Sequence, residues 1–328
     1  LAKLAKPERL LNKKTLLDRM DSVKTTAKKI KAIQIQGASK VREYAILALV
    51  NETLNSKQKT PAEFRKEFLK NSKLLFDARP TEPALRTGIR ILKQSISEKK
   101  LSVSQMKKNI LQTDKKYEIN RKNAMKKMSG YGAKLIPKGS VILTLCHSHS
   151  VVDVLIKAKK NIDHVYCLET RPLYQGRITA TDLSKAGIKT TLIVDNAAST
   201  VLKKCDFFFT GADAFLADGD IINKIGTNQI STLCRRYETK HYSVTSTHKF
   251  EPGTFFGNDE PIEQRETSEV LPKKIPKVKV LNPAFDRTDS SLVEGIICEK
   301  GIFPPEVLAS KLYDSLDLDK HEIDFLKL

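Results

Sequence analysis

The sequence predicts an α/β fold: an all-helical N-terminal domain over residues 1–120, then a parallel-sheet domain over residues 121–328. Three observations carry this reading. Up to about residue 120 the apolar residues recur at helical spacing, with few strand signals. From about residue 138, apolar β-rich runs alternate with helix-compatible stretches, which specifies a mostly parallel sheet covered on both faces. The 328 residues suffice for two domains with proper cores, and 40% hydrophobic content is that of a globular chain.

In the first part, "TLLDRMDSVKTTAKKIKAIQIQ" places apolar residues at helical intervals, and "SKVREYAILALVNETLN" does so again after Gly37. "TPAEFRKEFLKNSKLLFDA" opens with Thr60 as N-cap, Pro61 at the first helical position and Glu63 at the third. "PALRTGIRILKQSIS" and the long "VSQMKKNILQTDKKYEINRKNAMKKM" read as two further helices, the last carrying the chain into the second domain. There the strand runs are "SVILTL", "HVYCLE", "TTLIVD", "DFFFTG" and "HYSVTS". "SVVDVLIKAKK", "YQGRITATDLSKAG", "NAASTVLKKC" and "GTNQISTLCRRYETK" separate them as helices, giving a Rossmann-like order. No GxGxxG follows the first strand, so a dinucleotide site is not supported.

Composition excludes several classes. No apolar run approaches the roughly 20 residues of a membrane helix. "LAKLAKPERLLNKK" lacks the uninterrupted apolar core of a signal peptide and reads as a surface segment of a cytoplasmic protein. The five cysteines are scattered without a CxxC pair, so reduced thiols are expected. The formal charge of +20 favours anionic partners. With 6% aromatics and no Trp, the interleaving expected of a nucleic-acid surface is missing.

In an open α/β sheet, ligands bind outside the carboxyl ends of the strands. Cys146 follows the first strand run, Glu169–Thr170–Arg171 the second and Asp195 the third. Gly211–Ala212–Asp213 follow the fourth, and Thr247–His248–Lys249 the fifth. A free cysteine is most often a small buried hydrophobe. Its place at a strand exit, with Arg171 and Lys249 expected nearby to depress its pKa, makes Cys146 a candidate reactive thiol instead. A metal site at Cys146, His147 and His149 is disfavoured, because adjacent residues on a tight turn rarely aim at one ion.

Asp213 ends an apolar run, where a partly dry rim suits a carboxyl to proton transfer; the plainer reading is a turn or cap acid. Asp218–Gly219–Asp220 reads as the turn itself. After Asn223 and Lys224, Gly226–Thr227 opens a helix whose backbone N–H groups could approach an anion. In the helical part, Gly37, Ala38 and Ser39 stand at a helix start, a second candidate anion site or an ordinary Ser N-cap. Arg79, before Pro80, stands in a non-helical turn from which it could fork onto a phosphate.

Together, "ARPTEP", "CHSHS", "ETRPLYQGR", "VDNAA", "GADAFLADGDIINKIGTNQ", "HKFEP" and "NPAFD" resemble the archaeal ribose-1,5-bisphosphate isomerase family. That family is related to the regulatory subunits of initiation factor 2B and to methylthioribose-1-phosphate isomerase. The resemblance is strongest over residues 138–290. It implies that Cys146 and Asp213 form an acid/base pair. It also implies that Gly37, Ala38, Ser39, Arg79, Asn223, Lys224 and Lys249 contact a sugar bisphosphate; Arg171 joins them from its place at the sheet edge. The implied reaction converts ribose 1,5-bisphosphate to ribulose 1,5-bisphosphate in nucleotide (AMP) salvage, without metal or nucleotide cofactor. The implied assembly is a homo-oligomer, a dimer or a hexamer built from dimers, with no membrane partner.

One departure from the family pattern is Gln36, where the small-residue loop usually begins with arginine; its loss weakens one phosphate contact, and Lys40 and Arg42 are the nearby cations. A second class of function fits the same fold: a non-catalytic regulatory subunit that binds a nucleotide or sugar phosphate and initiation factor 2, with no use for Cys146. A third keeps the chemistry with methylthioribose 1-phosphate, against which the Cys-His-Ser setting of the thiol argues.

Overall fold

The computed structural model describes residues 21–35, 37–79 and 82–314. Gln36, Pro80, Thr81 and the N-terminal stretch 1–20 therefore lie outside the described residues. Those described fall into two compact units: one holds residues up to Arg79 and Ala84–Tyr117, the other Glu82, Pro83 and everything from Glu118 onward.

The first unit is helical: α1 (Val23–Lys31), α2 (Ala38–Leu54), α3 (Pro61–Ala78), α4 (Pro83–Gln94) and the start of α5 (Val103–Leu135). Ser22 caps α1 by accepting from the Thr25 N–H at 3.2 Å. Thr60 caps α3 as the sequence predicts, accepting from the Glu63 N–H at 3.3 Å while its hydroxyl donates to the Glu63 carboxylate at 2.7 Å. Phe64, Phe68 and Leu75 of α3, Val41, Ala45 and Leu49 of α2, and Met106 and Ile110 of α5 are buried in this unit. Arg42 is 3% exposed, with its guanidinium 5.6 Å from the centre of the Tyr117 ring.

The second unit carries β1 (Ser140–Leu145), α6 (His149–Lys157), β2 (Ile162–Leu168), α7 (Gly176–Lys185) and β3 (Thr190–Ile193). Then follow α8 (Ala198–Leu202), β4 (Phe207–Thr210), β5 (Ala214–Phe215), β6 (Ile221–Lys224), α9 (Thr227–Arg236) and β7 (Lys240–Val244). The last elements are β8 (Phe285–Thr288), β9 (Gly295–Cys298), β10 (Gly301–Phe303) and α10 (Pro305–Asp314). Every strand the sequence predicts is present, and β1 spans the predicted "SVILTL". Seven strands form the main sheet, in the order β10-β9-β7-β4-β1-β2-β3, parallel except for β10. A small antiparallel sheet, β5-β6-β8, stands beside it.

Both faces of the main sheet are covered. Ile142, Val165 and Phe209 pack with Val151 and Leu155 of α6 and Met128 of α5 on one face. Leu143, Leu145, Leu168 and Phe208 pack with Leu202 of α8 and Ile230 of α9 on the other. Alternate residues of each strand point to opposite faces, so a strand buried twice must be apolar throughout. "SVILTL" and "FFFT" satisfy that demand, and burying each Phe of β4 contributes about 1.5–3 kcal/mol.

The strand order has one reversal. From β1 the chain steps outward through β2 to β3, then returns to β4 on the opposite flank of β1. The helices after β1 and β4 therefore leave in opposite directions, opening a crevice at the carboxyl ends of these two strands.

Candidate active site

Cys146 leaves β1 at that reversal, and Gly211–Ala212–Asp213 leave β4. The two exits touch. Gly211 is buried, and a Cβ added there would stand 2.8 Å from Ser148 Oγ and 3.1 Å from Ser148 Cβ. Glycine is the residue that lets the loop after β4 close onto the loop after β1. Ser243 of β7 donates to the Gly211 carbonyl at 3.1 Å, and the Asp213 N–H donates to the Ile222 carbonyl at 2.7 Å, which fixes the turn from both sides.

Cys146 has a left-handed backbone, φ +66°. Its N–H donates to Thr170 Oγ1 at 2.8 Å and its carbonyl accepts from Thr179 Oγ1 at 2.7 Å. Burial pushes the thiol up from 9.0 to about 11; the Lys224 ammonium and the His147 N–H pull it down, and the Asp213 and Asp195 carboxylates add smaller upward pushes. Lys224, Asp213 and Asp195 thus all lie within electrostatic reach of the sulfur. The expectation that Arg171 and Lys249 would depress this pKa is corrected: burial wins, and the cation that acts on the thiol is Lys224. Arg171 is exposed, with Nη1 donating to Tyr174 OH at 2.7 Å. Lys249 Nζ donates to the Ala212 carbonyl at 2.5 Å, anchoring the turn that carries Asp213.

Asn223 and Lys224 end β6 and are 5% and 8% exposed. Asn223 Nδ2 donates to Thr227 Oγ1 at 2.9 Å, and Thr227 Oγ1 donates to the Lys224 carbonyl at 2.7 Å. Neither the Lys224 ammonium nor the Asp213 carboxylate has a hydrogen-bond or ion-pair partner among the described residues. An unpaired ammonium on an otherwise buried side chain is set up to receive an anion.

The start of α9 is not open to an external anion as the sequence suggested, because Asp286 fills it. Its carboxylate accepts from the Gly226 N–H at 2.7 Å and from the Asn228 N–H at 3.2 Å. Burial still raises this carboxyl from 3.8 to about 6, against the lowering by those N–H groups. Asp286 and Asp195 share a cleft of about 420 Å³ with Arg171 and Asn228, floored by Leu145, Leu168 and Ile230. Reading the sequence missed Asp286, although it closes the "NPAFD" string.

His147 does not share a ligand with His149. Its Nδ1 lies 3.1 Å from Thr179 Oγ1, whose own proton goes to the Cys146 carbonyl, and the two imidazoles meet edge to face at 4.8 Å. Among the described residues no group of three His, Cys, Asp or Glu is arranged to hold a metal ion, and no helix is long and apolar enough to cross a membrane.

The other predicted contacts lie in the first unit. Gly37 is the N-cap of α2 with φ +82°, and Ala38 and Ser39 open that helix, so Ser39 is not the cap. Arg79 is the C-cap of α3, with the non-helical φ −153° expected before a proline.

Among known proteins, the chain is 35% identical over 307 residues to the ribose 1,5-bisphosphate isomerase of Pyrococcus furiosus, covering 90% of this chain and 92% of that one. Among solved structures it resembles 5-methylthioribose 1-phosphate isomerase of Pyrococcus horikoshii, with TM-score 0.73, 31% identity and coverage of 90% and 88%. It also shares the fold of the translation initiation factor eIF-2B of Pyrococcus horikoshii, with TM-score 0.71, 24% identity and coverage of 88% and 98%. The profile of the Initiation factor 2 subunit family matches residues 34–305, and the chain belongs to that family.

Proposed function

We propose that the protein is a sugar-phosphate isomerase that converts ribose 1,5-bisphosphate to ribulose 1,5-bisphosphate, with Cys146 and Asp213 as its acid/base pair. The carrying observation is that a neutral thiol and an unpaired carboxylate flank the β1/β4 reversal beside the unpaired ammonium of Lys224. The similarity to a named ribose 1,5-bisphosphate isomerase over nine-tenths of the chain supports this substrate over methylthioribose 1-phosphate. A regulatory subunit would have no use for the pair.

The chemistry needs four proton movements. A sugar carrying phosphate on C1 is locked in its ring, so the C1–O4 bond must break with a proton delivered to O4. The C2 proton and the O2 proton are then lost, and C1 gains one. Cys146 enters as S–H because burial keeps it neutral. It gives its proton to O4, and the thiolate so formed takes the proton from C2. The Asp213 carboxylate takes the O2 proton and returns it to C1. Each group ends as it began, and the intermediate is an enol phosphate. Lys224 holds the negative charge that develops, in a site where burial strengthens the attraction. Asn223, with Lys249 behind the Asp213 turn, completes the sheet-edge contacts.

Incubating the purified protein with ribose 1,5-bisphosphate and following the products by phosphorus NMR tests the reading. Wild type yields the ketose, while Cys146→Ser and Asp213→Asn lose turnover by about 10²-fold or more with unchanged circular dichroism. Binding of the bisphosphate without turnover by wild type would instead identify a regulatory subunit. Turnover of methylthioribose 1-phosphate alone would assign the third reading.

A further inference from the structure

We propose that Asp195 is a positioning residue that holds Cys146 in its working pose through Thr170. The inference rests on Cys146 being the working thiol.

Both oxygens of Asp195 are spent on the exit of β2. Oδ1 accepts from the Thr170 N–H and Oδ2 from the Arg171 N–H, each at 2.7 Å. These are short, charge-assisted bonds, made to one turn by a residue 24 positions or more away in sequence. They hold Thr170 at φ +65°. For a β-branched residue that conformation is an outlier, and it persists only where its surroundings over-determine it. The held geometry aims Thr170 Oγ1 at the Cys146 N–H, 2.8 Å away, while the same hydroxyl donates to the Leu168 carbonyl at 3.1 Å. Thr170 is 1% exposed, so its hydroxyl has no water to turn to instead. Cys146 is itself left-handed, and the Thr179 hydroxyl grips its carbonyl from the other side.

Charge gives no rival account of Asp195. Its carboxylate makes the thiol harder to ionise, the opposite of what an activating neighbour would do. What it supplies to Cys146 is geometry.

The test uses the full-length protein and four variants: Asp195→Asn, Thr170→Val, Thr170→Ser and the double variant D195N/T170V. Asn keeps one acceptor and turns a donor toward the second N–H; Val keeps the shape of Thr without its hydroxyl. D195N and T170V each lower kcat roughly 10- to 100-fold with KM little changed, as expected of a group displaced by a fraction of an ångström. The double variant is no worse than the poorer single one, because the two residues form one link, and T170S restores most of the loss.

Iodoacetamide alkylation of Cys146 against pH, read by peptide mass spectrometry, separates geometry from charge. In D195N the midpoint falls while kcat falls with it. A wild-type kcat in T170V, losses that multiply in the double variant, or a kcat that rises as the midpoint falls overturns the proposal. Should wild type fail to turn over ribose 1,5-bisphosphate, the functional reading fails separately. The limiting alkylation rate of the Cys146 thiolate then still tests the link: an equal and non-additive change in D195N and T170V upholds it, and unchanged rates in both refute it.

Discussion

Replacing Lys224 by Met removes the cation that, among the described residues, eases ionisation of Cys146, and the consequence can be worked from the structure. The thiol stands at about 11 against an ordinary 9.0. At pH 8 that leaves about 0.1% as thiolate, against about 10% for an ordinary thiol, so alkylation runs about 100-fold slower. Burial is the larger cause and Lys224 only offsets it, so Lys224→Met drives the midpoint higher and slows alkylation by about a further tenfold. The assay is iodoacetamide labelling from pH 7 to 11 with peptide mapping. The buried Cys167, Cys205, Cys234 and Cys298 are followed as separate peptides. The wild-type rate should climb tenfold per pH unit with no plateau below about pH 11. A midpoint at or below 9, or faster labelling of Lys224→Met, would show that burial does not dominate and would remove the neutral thiol from the mechanism.

Other perturbations probe the scaffold around the site. Gly211→Ala pushes a methyl group to 2.8 Å from Ser148 Oγ, prising the two strand exits apart; kcat should drop about tenfold while the melting temperature moves little. In Gly176→Ala the new Cβ would lie 1.7 Å from the Leu168 carbonyl oxygen, so α7 cannot stay seated on β2; chemical denaturation should show a loss of about 3 kcal/mol or more. Asp286 titrates at about 6 when folded and near 3.8 when unfolded, so the folded state holds the extra proton between these values. Its contribution to stability is present below about 3.8 and is lost as pH rises through about 6, by at most about 3 kcal/mol. Melting of wild type against Asp286→Asn from pH 7.5 to 4.5 should therefore shift in favour of wild type on acidification; a difference that is flat, or that shifts the other way, refutes the assignment.

What could be read in the sequence was set by local or periodic signals. "SVILTL" and "DFFFTG" announce themselves because a strand buried on both faces must be apolar throughout. Thr60 and Pro61 mark the start of α3 because the orphan N–H groups there need a partner within three residues. Cys146 and Asp213 were legible as strand-exit residues, since the crossover rule alone assigns the carboxyl ends to ligands. The small sheet was not, because β6 meets β8 through Lys224 and Phe285, 61 residues apart, and strands of two to four residues carry little pattern. Asp286 at the start of α9 belongs to the same long-range closure. The direction of the thiol shift was misjudged because sequence shows which cations exist but not how deeply a sulfur is buried.

The reversal at β1 and β4 sets Cys146 and Asp213, the proposed reacting pair, on separate loops at the rim of the sheet. Phe208, Phe209, Leu143 and their helices hold the architecture whether or not a thiol and a carboxylate stand at the rim. If the proposed pair does the chemistry, two point changes silence it and leave the folded receptacle in place. A scaffold of this design can move between converting such a molecule and merely sensing it without crossing an unfolded intermediate.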